Sequence, residues 1–173
     1  MGSGIVKQRK QGESLSNEEL FLVLKGWQKV IETDSKRFFR QSVLGILRMS
    51  GAIRQTMGIK KVGNDQIYSP EENQKIDLLA FRMVRFFEDS LHSPENARRK
   101  AVQLGANHVN YGEREAKFQS VFWEIYVASL TENLLKHGIE DIEAWMKFIR
   151  MRVNWITEGY ERQKRKSIKT NAK

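Results

Sequence analysis

The chemistry of this chain is concentrated in nine residues, Leu104-Gly-Ala-Asn-His-Val-Asn-Tyr-Gly112, which close an apolar helical run on a histidine and leave it through Tyr111-Gly112. Only three histidines occur, at positions 92, 108 and 137, and there is no cysteine. A metal bound here would therefore rest on one protein nitrogen, too few for a structural zinc site. Haem iron is the common exception, because the porphyrin supplies its own nitrogens and the protein adds one imidazole. On the residues alone, a lone histidine at a helix end is more often a cap or a satisfied surface group. The lack of cysteine removes disulfides, thiolate metal sites, iron–sulfur ligation and a cysteine nucleophile. No Gly-rich phosphate loop, G-x-S-x-G or H-E-x-x-H is present, so a conventional hydrolase or transferase is poorly supported. Lys60-Lys61 and Arg98-Arg99-Lys100 read as solvated faces.

The elements that must position His108 are helical from end to end. Ser16-Asn-Glu-Glu19 is a capping box ahead of Leu20, Val23, Leu24, Trp27 and Val30, an apolar stripe at helical spacing. Asp34-Ser35 starts a second helix carrying Phe38, Phe39, Val43, Ile46 and Leu47, which stops near Ser50-Gly51. A short turn-like piece with Ile53 and Met57 precedes the one long loop, 58–69. Ser69-Pro-Glu-Glu72 combines an N-cap, a proline at the first helical position and an acid at the third. Ile76, Leu79, Ala80, Met83, Val84, Phe87 and Leu91 follow. Ser93-Pro-Glu-Asn96 repeats the start signal for the helix that ends at His108. A long helix is predicted directly after Tyr111-Gly112, with Phe118, Val121, Phe122, Ile125, Leu130 and Leu134, ending at Lys136-His-Gly138. The last helix runs from about Asp141 to Tyr160. No strand alternation and no internal repeat is visible, so the expectation is an all-α domain of six or seven helices.

Length points to one domain, spanning 13–161. The net charge of +9 is misleading: three of the excess bases lie in 1–12 and six in 162–173, which leaves 13–161 with 21 bases and 21 acids. A phosphate-binding groove would place the excess on the body, so specific nucleic-acid binding is not expected. The two ends read as disordered basic tails or linkers, the first opening on a vector remnant, Met1-Gly-Ser-Gly4. Membrane contact is expected only through these tails, because no apolar stretch approaches the roughly 20 residues of a membrane span. With no signal core after Met1, the expected location is cytoplasmic.

The helix order, with His108 closing a short helix before two long ones, resembles the globin family. Leu104–Gly112 looks like the proximal-histidine segment of globins related to neuroglobin and the bacterial flavohaemoglobins. Phe118 and Val121 fall where that family puts haem-facing apolar residues. Ala144-Trp145 and Ile156-Thr-Glu-Gly-Tyr160 resemble its final helix, and Trp27 falls where its first helix carries a tryptophan. The resemblance covers roughly residues 14–161 and implies a three-over-three helical fold around haem b. It implies His108 as the proximal iron ligand, with Leu104, Met57, Phe118 and Val121 against the porphyrin and Val43, Ile76, Leu79 and Ala80 covering the distal side. Met83, Phe87 and Trp145 are assigned to ordinary core packing. Arg98 or Lys100 is expected near a haem propionate.

Departures from the family pattern narrow the expected function. The distal position falls at Lys75 or Ile76, where the family usually has histidine or glutamine, and helical pairing with Leu79 slightly favours Lys75. The nearly universal haem-edge phenylalanine is replaced by Met57, and Glu113 stands where many relatives have an apolar residue. His92, about four turns beyond the distal position, is too far to serve. Bound O₂ would lack a strong hydrogen-bond donor. The expectation is therefore a domain that binds a diatomic gas (O₂, CO or NO) for sensing or redox chemistry, such as nitrite reduction or NO dioxygenation, rather than bulk O₂ transport. It is expected within a longer chain or a homodimer. The rival is a haem-free, globin-like interaction domain of a signalling scaffold.

Overall fold

The computed structural model describes residues 14–60, 67–113 and 116–171, apart from the side chains of 113, 116 and 169–171. The predicted amino-terminal tail, the centre of the 58–69 loop and the Glu113 side chain lie outside the described residues. Seven helices are present among the described residues, and the protein is all-α: α1 (Asn17–Glu32), α2 (Ser35–Met49), α3 (Gly51–Thr56), α4 (Pro70–His92), α5 (Pro94–His108), α6 (Phe122–Lys136) and α7 (Ile142–Asn171). No described helix is long and apolar enough to cross a membrane.

Helix starts follow local chemistry. Ser16 and Glu19 form the capping box of α1, and Ser69 and Glu72 form that of α4, satisfying backbone groups that a helix end leaves unpaired. Glu72 also accepts from the Lys60 backbone N–H at 2.5 Å, which ties the chain leaving α3 to the start of α4. Those backbone donors, Ser69 first, hold the Glu72 carboxyl below its ordinary pKa against the opposing effect of burial. Ser93 precedes α5 as the pattern requires, yet its side chain makes no capping bond.

Two boundaries differ from the pattern-based reading. The helix expected directly after Gly112 begins only at Phe122. Between them Gly112 adopts φ 102°, and Gly112–Glu113 pairs antiparallel with Ala116–Lys117. Such a left-handed backbone ends helical propagation and is natural for glycine, so Phe118 and Val121 lie in a connection rather than on a helix. At the other end, α7 continues past Tyr160 to Asn171. Nothing after Gly159 breaks it: Glu, Arg, Gln and Lys are strong helix formers, and Arg162 pairs with Glu158 one turn back at 2.7 Å.

The core is an aromatic cluster where α1, α2, α4 and α7 meet. Phe87 stacks on Trp27 at 6.0 Å and on Trp145 at 6.2 Å, with Phe39 and Phe148 packed beside it. All five rings are buried. Helix α2 lies across α4 and α6, α1 packs on α7, and α6 also meets α7. Helix α5 lies along α7 and meets α4 much less. The α5–α7 approach is close enough that a Cβ on Gly105 would stand 1.8 Å from the Ile156 carbonyl oxygen, and one on Gly159 would stand 1.9 Å from that of Val102.

Candidate functional site around His108

His108 is the last residue of α5, and two anchors set its ring. Backbone contact with α7 holds the helix, and the His108 Nδ1 lies 2.7 Å from the Leu104 carbonyl oxygen one turn back. A carbonyl only accepts, so that bond places the proton on Nδ1 and leaves the Nε2 lone pair available. Burial pushes the His108 pKa down, the Leu104 bond opposes that shift, and the positive charge of Arg82 on α4 adds to the lowering. The ring is therefore held neutral, with its tautomer selected for ligation through Nε2.

Aromatic side chains flank the imidazole. Phe118 approaches edge-on at 4.8 Å and Trp123 at 5.0 Å, while Tyr111 lies tilted at 5.7 Å. The Phe118 carbonyl accepts from the Tyr160 hydroxyl at 2.9 Å, so α7 fixes this segment as well as α5. Trp123 is buried, and its indole Nε1 has no hydrogen-bond partner among the described residues. His137 makes a comparable bond to Asn133 O at 2.9 Å and meets Phe38 edge-on. The one-turn-back bond alone does not distinguish His108. What does is the backbone contact that locks α5 on α7 and the Phe118 and Trp123 rings on either side of the imidazole.

The remaining predicted residues fall into three groups. Val43, Ile76 and Ala80 are fully buried, on α2 and α4 where the two helices pack. Leu79, Leu104, Met57 and Phe118 are partly buried against the same core. Lys75 is exposed, and its Nζ reaches the carbonyls of Met57 at 3.4 Å and Gly58 at 3.3 Å, closing the carboxy-terminal end of α3. Val121 is 56% exposed and borders a cleft with α7 rather than the His108 ring. His92 is exposed at the end of α4. Arg98 pairs with Glu158 at 3.1 Å and Lys100 with Asp89 at 2.8 Å.

Sequence reasoning missed Trp123, Arg82 and the two glycines. Gly105 and Gly159 did carry a signal, since glycine inside a helix costs about 1 kcal/mol relative to alanine and usually has a packing reason. Trp123 and Arg82 carried none, because only helix crossing brings them to His108.

A single neutral imidazole amid apolar and aromatic side chains suits a cofactor that brings its own equatorial donors. Among the described residues no cluster of three or more His, Asp or Glu side chains could hold a bare metal ion. On the His108 side Leu104 and Phe118 are partly covered, and the Phe118 and Trp123 rings pack directly on the imidazole. On the α4 side Leu79 is the half-covered residue, and Ile76 and Ala80 lie beneath it in the core. In comparison with known proteins, no family model and no curated protein matches this chain.

Proposed function

We propose that this protein is a haem-binding globin domain that takes a diatomic gas for sensing or redox chemistry rather than bulk oxygen transport. The observation that carries the reading is His108: neutral, tautomer-selected by Leu104, and held at the end of a helix locked on α7. Helix pairing supports the three-over-three arrangement, with α1 and α5 on α7, α2 on α4 and α6, and α6 on α7. Bound haem would supply an iron able to coordinate a small gas and change oxidation state. The chain would contribute His108 as nitrogen donor to the iron, Leu104, Phe118, Leu79 and Met57 as apolar walls, and the Leu104 carbonyl as the group that raises imidazole basicity. Residues 75–80 include no histidine, glutamine or tyrosine, so a polar ligand meets little hydrogen bonding there. That favours weak retention or oxidation over storage.

A second reading, a haem-free interaction domain of the same fold, is favoured by the rings of Phe118 and Trp123 closing on two sides of the imidazole. Titration of the purified protein with haemin separates the two. A stoichiometric Soret band that vanishes in His108→Ala but persists in His137→Ala supports haem binding. Absence of any saturable band supports the second reading.

A further inference from the structure

We infer that the open cleft between the α5–α6 connection and the far end of α7 is a binding site for a long-chain fatty carboxylate. The cleft holds about 580 Å³, and Val109, Phe118, Val121, Tyr160 and Ile168 supply its apolar lining. Val121 is 56% and Ile168 62% exposed. Both line the same concavity, so they present adjoining apolar surface to one ligand rather than standing singly. Lys117 and Lys164 also line it, and none of the described lining residues is acidic. Lys164 Nζ lies 5.7 Å from the Tyr160 ring centroid, beside part of the apolar lining.

Size and charge together select the occupant. Small-ligand sites hold about 300–1,000 Å³ and are mainly apolar, with a few polar groups that orient the ligand. An α-helix about 10 Å across would need roughly 1,250 Å³ for three turns, so a helical peptide is too large. An alkyl chain fits, and each methylene it removes from water improves affinity about fourfold. Pairing its carboxylate with an exposed lysine adds only a few-fold and sets the orientation. The extension of α7 past Tyr160 creates this site, because Lys164, Ser167 and Ile168 form one wall. His108 does not line the cleft, and Phe118 is the residue it shares with the surroundings of that ring, so the titration is made on the haem-free chain.

Calorimetric titration of the full chain with sodium dodecanoate, below its micelle concentration, tests the site. One saturable equivalent should bind, and dodecanol should bind several-fold more weakly. Val121→Asp, a change at an exposed position, should weaken dodecanoate at least tenfold, and Ile168→Asp serves if that variant fails to fold by circular dichroism. Lys117→Glu with Lys164→Glu should cost about tenfold. Phe21→Asp, at a 64% exposed position on α1, should change nothing. The inference is overturned by absence of saturable binding, by equal affinity for dodecanol, or by an unaffected Val121→Asp. It is equally overturned if light scattering shows a dimer that Val121→Asp splits while dodecanoate does not bind, since the face then joins two copies of the chain.

Discussion

Gly105 stands against the Ile156 carbonyl, with room for a hydrogen but not for a methyl: an added Cβ would lie 1.8 Å from that oxygen. The obstruction is backbone, so no side-chain rotation relieves it, and α5 would have to lift from α7. Gly105→Ala should destabilise the protein by about 1–3 kcal/mol through overpacking. Helix propensity alone predicts a gain of about 1 kcal/mol, so the sign of the shift in urea midpoint decides which effect wins. Gly159→Ala, 1.9 Å from Val102 O, should behave alike. Both variants should also weaken haemin binding, because the helix carrying His108 loses its seat.

Protonation of His108 should be legible in the unfolding of the haem-free protein. Its folded pKa lies below the ordinary 6.5, chiefly through burial. The unfolded chain thus binds more protons, and stability rises with pH between the two values. That contribution is complete above about pH 6.5 and is lost as pH falls towards the depressed folded value. Glu19, Glu72 and Asp89 have lowered pKa values and act only in the carboxylate range. Urea midpoints at pH 7.5 and 5.5 should differ more for the unaltered protein than for His108→Gln. An equal difference in both would show that the ring is not desolvated.

In the reduced, haem-loaded protein the iron should lack an internal sixth ligand. Lys75 Nζ is engaged by the Met57 and Gly58 carbonyls, while Ile76 and Ala80 carry no donor and are fully buried. The visible spectrum without added gas should show one broad high-spin band, and Lys75→Ala should leave it unchanged. Sharp paired bands abolished by Lys75→Ala would place the amine on the iron instead.

Arg152 is a stability liability. It is 6% exposed, Nη2 makes a single 3.4 Å bond to Ser90 O, and Nε and Nη1 are buried without hydrogen-bond partners among the described residues. Burial pushes its pKa down to about 10. Stacking over Phe148 at 3.7 Å offsets part of the desolvation. Replacing buried ionic groups with apolar chains of similar volume is often neutral or stabilising by about 1–4 kcal/mol. Arg152→Met should therefore hold or raise the melting temperature, whereas Arg152→Ala should lower it by opening a void. A large loss in Arg152→Met would mean that stacking on Phe148 and the Ser90 bond outweigh the desolvation of the charge.

Much of the fold was legible because the deciding interactions span four residues or fewer. Ser16–Glu19, Ser69–Glu72 and the apolar stripes of α1, α2 and α4 are local patterns, and helices formed where they said. The extension of α7 to Asn171 is local too, carried by strong helix formers and the Arg162–Glu158 pair one turn apart. His108 at the end of α5 was determined by the sequence, as was its reach to the carbonyl one turn back. Only the tertiary structure decided what surrounds that ring. Trp123, Phe118 and Arg82 arrive from other segments, and Val121 turns away to face Ile168 because Gly112 breaks the chain out of helix. Helical periodicity says which residues share a face. It does not say which helix that face meets, since the choice depends on long-range contacts such as Gly105 with Ile156, whose energies no short window of sequence contains.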